Sequence, residues 1–211
     1  MNQQLNMTTS YLARQLRNII YQYTIYGQSD EDLKYVFTHY VPLPVLEQPS
    51  PKLKEVSRSL EVEDYFFVST LEYCLEQTMK AKGGVGLAAP QIGINVRCIL
   101  AQDETGKNYF LVNPVITKFS DDTCVFKEGC LSVPNVRYDR TRPASITVEH
   151  VDVKSGELKI LEAKGLLARV IQHEIDHLDG KLFIDGISRL KLDMLKKKGQ
   201  KLNKRGYYNV G

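Results

Sequence analysis

The 211-residue chain has no apolar run approaching the roughly 18 residues that a membrane-spanning helix needs. Its four cysteines, Cys74, Cys98, Cys124 and Cys130, form no C-x-x-C pair, and no secretory leader with a long apolar core is expected from the pattern. A disulfide framework is therefore not expected to support the fold, and a reducing compartment is. The formal net charge is only +3, too small to argue for nucleic-acid binding by itself. Neither a DNA partner nor a membrane is expected. Acids are missing from the first 27 residues, which carry Arg14 and Arg17. That composition is permitted in an organellar transit peptide. A helix packed on the domain, with Leu12, Leu16, Ile19 and Ile20 on one face, fits the same residues. Cytoplasmic location is the expectation, with an organelle as the alternative.

Hydrophobic residues make up 43% of the chain and charged residues 25%, the range of a soluble globular protein. The length suits one domain with an extension or two. The expected divisions are a helical N-terminal extension over 1–40, a main domain over 41–186, and a basic C-terminal helix and tail over 187–211. In the tail, from Arg189 to Arg205, eight Lys or Arg residues stand against one acid, Asp193.

Helical spacing after Ser10 ends at Gly27, and "SDEDLKYVF" reads as a second short helix with Ser29 or Asp30 as its cap. "VPLPVLEQPSP" is punctuated by proline and reads as a loop. From Glu61 to Lys82 the pattern is a long amphipathic helix stopped by Gly83 and Gly84. "VRCILAQ", "NYFLVNP", "CVFKEG", "ASITVEHVDV" and "ELKILEAK" read as strands. Asn113-Pro114 and Ser155-Gly156 are turn signals, the latter joining a hairpin. A helix follows from about Gly165 to Leu178, and another from Ile187 to about Leu202. Helix, many strands, then helix makes the class α+β rather than alternating βαβ.

Within the first of those late helices stands "QHEIDHLDG". His173 and His177 lie four residues apart on one helix face and can turn both imidazoles toward a single ion. Glu174 is rotated about 100° from His173. It cannot readily be a third ligand, but it can reach a water near the ion. This is the H-E-x-x-H arrangement of two ligands and a general base. A solvated helix end with mixed charges is the competing explanation. The third ligand of ordinary zinc peptidases is missing. Phe183 stands where one class has a third histidine, and no glutamate follows Glu174 for the other. The candidates upstream are the cysteines, His39 and His150. Cys130 stands out in "EGCLSVP", beside Gly129, where backbone can approach closely. Cys74, Cys98 and Cys124 sit in apolar patterns and read as small buried hydrophobes.

"GVGLAAPQIG" (84–93), "EGCLS" (128–132) and "QHEIDH" (172–177) together resemble the three signature motifs of the peptide deformylases, in the family's order. The resemblance implies a catalytic domain over 41–186 with antiparallel β-sheets packed around a central helix that carries the H-E-x-x-H motif. It implies removal of the formyl group from the N-terminal formyl-methionine of new polypeptides, with release of formate. It implies Cys130, His173 and His177 as metal ligands with a fourth position open for water, which a hydrolytic centre requires. Glu174 would move the proton, and the Gln91 amide and the Leu131 backbone N–H would donate to the developing oxyanion. Gly84, Val85, Gly86 and Gly129 would present backbone to an extended peptide. Glu128, Leu166 and Val170 would belong to the methionine pocket, and Arg137 would lie near the substrate backbone. Asp176 reads either as support for the ligands or as an exposed helix acid. Arg169 reads as facing solvent or an acid.

A Cys-His₂ set suits Fe²⁺, Zn²⁺, Ni²⁺ or Co²⁺, and the resemblance favours Fe²⁺ in the cell. The partners implied are formyl-methionyl nascent chains, with ribosome contact through the basic tail as a further expectation. A binding module that keeps a metal only as structure is the alternative class. Glu174 and Gln91 argue against it, because a structural site needs neither.

Overall fold

A computed structural model of the chain describes residues 42–61, 68–153 and 155–203. The two N-terminal helices expected from the sequence, the 1–40 extension that holds them and the end of the basic tail lie outside the described residues. The helix expected from Glu61 is described as α1, Val68–Ala81. Seven strands follow: β1 Gly86–Ala88, β2 Cys98–Gln102, β3 Asn108–Phe119, β4 Thr123–Cys130, β5 Val133–Pro143, β6 Ser145–Val151 and β7 Leu158–Lys164. Two helices close the described chain, α2 Gly165–Leu178 and α3 Arg189–Asn203. A five-stranded antiparallel sheet has the order β1-β2-β3-β6-β7, and β4 and β5 form a separate two-stranded sheet.

Strand alternation builds the core. Successive side chains of a strand point to opposite faces. In β2, Cys98 and Leu100 join the cluster around Leu71, Leu75 and Met79 of α1, while Ile99 and Ala101 join the cluster around Ala168, Ile171 and Leu178 of α2. Both faces of β2 are therefore covered, which is why it reads as a continuous apolar run. Each such fully buried aliphatic side chain stabilises the fold by ~1.5–3 kcal/mol. Eleven of the fourteen residues of α2 are buried, so it is a core helix, not an amphipathic surface one.

Two segments differ from expectation. Asn113-Pro114 does not turn the chain. It lies inside β3, where Asn113 takes φ 50° and the register with β6 shifts between Val112 and Val115. A β-bulge absorbs the proline there, as a strand interior otherwise would not. The other segment is β5, which was not expected as a strand. Its charged residues Arg137, Asp139, Arg140 and Arg142 hide the alternation.

Candidate active site

Polar side chains on a buried helix ordinarily need hydrogen-bond partners, because burying them unpaired is costly. In α2, Arg169, Gln172, His173, Glu174 and His177 are all buried. Glu128, at the end of β4, serves two of them. Its Oε1 accepts from Arg142 Nε at 2.6 Å and from an Arg169 guanidinium nitrogen at 2.7 Å. Its Oε2 accepts from Arg142 at 3.0 Å and lies 3.0 Å from His173 Nδ1. Arg142 also reaches Asp176 at 2.8 Å. Asp176 therefore supports the helix through Arg142. Burial alone would raise the Glu128 carboxyl, but hydrogen bonds and charge from His173 and Arg142 outweigh it and hold the group well below the usual carboxylate range. Burial would lower the Arg142 pKa, and Glu128 and Asp176 reverse that.

The Glu128 bond turns His173 so that its other nitrogen is left for a ligand. Cys130, two residues along β4, places its Sγ 3.2 Å from His177 Nε2. The donor atoms of Cys130, His173 and His177 lie within 4.8 Å of one another. One thiolate and two imidazoles from a strand and a rigid helix suit a divalent cation that binds soft and borderline donors. The same three residues are the ones expected from the sequence. Phe183, at the position where another metallopeptidase class has its third histidine, is instead buried with its ring centroid 5.7 Å from that of His173.

The two histidines differ electrostatically. Burial would lower the His173 pKa, but hydrogen bonds to Cys130 and Glu128 and the charges of Cys130 and Glu174 hold it well above its ordinary value. Burial, then the charges of His173, Lys54 and Arg142, holds His177 well below it. Burial also pushes the Glu174 carboxyl up to about 7. The charges of His173 and Arg142 oppose the rise, while Glu128 and Asp176 add to it. Glu174 Oε2 is buried without a protein partner, an oxygen left for a water or a substrate atom.

Gln91 comes from the other side. Its Oε1 accepts the Ala88 backbone N–H at 2.8 Å, which can only donate, so the amide nitrogen must be the opposite end. That nitrogen donates to Ser132 Oγ at 3.1 Å and points at Cys130 Sγ, 3.6 Å away. The loop before α1 ties both motifs together, since Leu46 N–H donates to the Gln91 carbonyl and Gln48 N–H to that of Ser132.

Gln91, Cys130, His173 and Glu174 open on a cavity of about 120 Å³. Every residue expected to bind substrate borders it: Gly84, Val85, Gly86, Glu128, Gly129, Arg137, Leu166 and Val170, with Leu131. At Gly86 a Cβ would collide with the Glu174 carboxylate and with Val170, so only glycine lets β1 lie this close to the helix. Glu128 differs from expectation in kind. It borders the cavity, yet both its oxygens are committed to His173 and two arginines. Arg169 faces that acid and also donates to the Cys124 carbonyl at 2.7 Å. Cys124 is accordingly half-buried against a guanidinium, 3.0 Å from its sulfur, not an apolar filler. Arg142 and Ser132 were not singled out from the sequence. Ser132 stands inside "EGCLS" and was within reach of that motif. Nothing local marks Arg142 as buried.

Replacing Glu128 by Gln leaves Arg142 and Arg169 buried without their carboxylate. Breaking such a cluster costs ~3–5 kcal/mol, and urea unfolding of Glu128→Gln is expected to show a loss of about 3 kcal/mol at pH 7. The folded pKa of Glu128 is depressed below its ordinary value of 4.5. Its contribution is present above that value and is lost as pH falls through the folded one. The natural chain should therefore lose stability on acidification more steeply than the variant. Equal acid slopes would show that Glu128 is not ionised in the folded chain.

A family model described as polypeptide deformylase matches residues 42–193. The curated peptide deformylase of Agrobacterium fabrum is 43% identical over 159 residues, 74% of this chain and 92% of that protein. The crystal structure of a peptide deformylase from Legionella pneumophila is 36% identical with a TM-score of 0.67, covering 77% of this chain and 95% of that one. A class I type b peptide deformylase from Acinetobacter baumannii with Met-Ala-Ser bound is 32% identical with a TM-score of 0.65, covering 70% and 99%.

Proposed function

The chain belongs to the polypeptide deformylase family, and from that premise we propose which of its residues carry the reaction. It is a metal-dependent hydrolase that removes the formyl group from the N-terminal formyl-methionine of nascent polypeptides. The observation that carries the assignment is the Cys130, His173 and His177 donor set facing a buried, unpartnered Glu174 oxygen.

Cys130, His173 and His177 would hold the cation. When bound, it supplies Lewis-acid chemistry that makes water nucleophilic near neutral pH. Glu174 accepts the proton of the attacking water. The water oxygen bonds to the formyl carbon, which becomes tetrahedral, and the former carbonyl oxygen takes up negative charge. The Gln91 Nε2 amide and the Leu131 backbone N–H donate to that oxygen. Glu174 then passes its proton to the leaving nitrogen as the C–N bond breaks, giving formate and a free amine. Gly84, Val85, Gly86 and Gly129 offer backbone to the peptide, Leu166 and Val170 border the methionine side chain, and Arg137 faces the peptide backbone. The Met-Ala-Ser bound to the Acinetobacter baumannii relative supports a peptide in this cavity.

The Gln91 role predicts that Gln91→Leu loses ~10²–10³-fold in kcat while Cys130 keeps its cation. Formate release by a metal-loaded Gln91→Leu variant within twofold of the natural rate would remove Gln91 from the mechanism.

The cellular cation of this reading is Fe²⁺, with Zn²⁺, Ni²⁺ and Co²⁺ suited to the same donors. The cytoplasm is the proposed compartment, with an organelle the alternative; four free cysteines support a reducing one. We also propose that the basic tail meets the ribosome. Its support is charge: Leu192 and Leu195 of α3 pack on the domain, while Lys197 and Lys201 face outward. Cosedimentation with ribosomes should weaken steeply with salt and with deletion of the tail. Binding indifferent to both would contradict it.

A further inference from the structure

The cavity beside Glu174 does not end at the methionine pocket. It continues into a cleft of about 620 Å³, and Lys127, Gly129, Cys130, Leu131 and Arg137 border both. The far wall of the cleft is α3, from Lys191 to Leu202. Gly199 sits so close to β5 that a Cβ there would collide with the Asn135 backbone, so the helix is seated firmly on the sheet. Lys191 is held by the Tyr138 ring, 4.7 Å from its centroid, and by the Tyr138 hydroxyl at 3.2 Å.

The charges along this cleft are unequal. Lys82, Lys127, Arg137, Lys191 and Lys198 border it, against Glu47 and Asp139. Lys82 immediately follows α1, Lys127 lies on β4 and Lys198 on α3, so three separate parts of the chain bring cations to one space. All three side chains are exposed. From Lys191 to Leu202 the helix wall is ~16 Å long at 1.5 Å per residue. That is room for about five residues of extended chain at ~3.3 Å each.

We propose that this cleft receives the nascent chain downstream of its formyl-methionine and selects substrates with acidic side chains at the third to sixth positions. The proposal rests on the deformylase reading of the adjoining cavity and adds a substrate class to it. Peptides whose early residues are acidic would be processed faster than neutral ones, and lysine-rich ones slower. Two or three exposed contacts of this kind correspond to about three- to tenfold, and the difference should collapse at high salt.

The test uses the full-length, metal-loaded chain. Formate release is measured from formyl-Met-Ala-Glu-Glu-Glu, formyl-Met-Ala-Ala-Ala-Ala and formyl-Met-Ala-Lys-Lys-Lys, with formyl-Met-Ala as reference. Binding of the three corresponding deformylated peptides, fluorescently labelled, is measured by anisotropy. The expected result is a three- to tenfold advantage of the glutamate peptide over the alanine peptide in kcat/KM and in affinity. It should vanish in the double variant Lys82→Glu/Lys198→Glu, whose rate on formyl-Met-Ala stays unchanged. Three peptides within twofold of one another in the natural chain, or a preference that survives the double variant, would overturn the proposal. Acid-selective binding without formate release from formyl-Met-Ala would uphold the cleft and overturn the reading of the site beside it.

Discussion

The variant Glu174→Gln is expected to keep its cation and to lose formate release by ~10²–10⁴-fold, the usual contribution of a positioned acid–base group. Two facts separate the roles. Glu174 is not among the three converging donors, so an isosteric amide leaves the cation site intact. Its Oε2 is buried without a partner and Glu174 lines the same cavity, so the amide removes an unpartnered carboxylate oxygen placed to take a proton there. The same substitution has an opposite effect on stability. Burial holds the Glu174 pKa up to about 7, above its ordinary 4.5. Its contribution is complete below about 4.5 and is lost as pH rises through about 7, where the folded chain must carry a desolvated charge. The metal-free variant should therefore be more stable than the metal-free natural chain above pH 7. Unchanged turnover at full metal occupancy would end the assigned role of Glu174.

Cys130→Ser is expected to hold well under one cation per chain after dialysis, and formate release should fall with the occupancy. The change is nearly isosteric in a buried position beside Val133 and Val136, so loss of metal is not a sign of unfolding; circular dichroism of the two proteins should agree. A serine hydroxyl is a far poorer ligand than a thiolate. Full occupancy in Cys130→Ser, measured by elemental analysis, would point to a different third donor.

Much of the site was legible because its parts lie in short, self-contained patterns. The bounds of α2 follow from its spacing, and its histidines share a face whatever the tertiary fold. Cys130 stands out among the upstream candidates once Phe183 and the missing downstream glutamate exclude the ordinary choices, and the family resemblance is what implies it as a ligand. What was not legible is whatever depends on partners distant in sequence. Glu128 looks like a pocket residue beside Gly129. Its actual partners, Arg142 and Arg169, lie 14 and 41 residues away. The strand β5 shows no alternation because the residue it buries at its far end is Arg142, a cation made acceptable by that acid. Asn113-Pro114 has the local chemistry of a turn, and only pairing with β6 makes it a bulge. The asymmetry of the downstream cleft was also invisible, since Lys82, Lys127 and Lys198 are single exposed lysines until three separate parts of the chain bring them together.

One cation on Cys130, His173 and His177, served by Glu174, is expected to release formate from formyl-methionyl peptides. The most direct test purifies the full chain anaerobically, strips and restores the metal in steps, and measures formate from formyl-Met-Ala against bound metal. The rate is expected to rise in proportion to metal and to stop rising at one ion per chain. Full-rate formate release from the stripped protein, or none from a chain loaded with one ion, would contradict it.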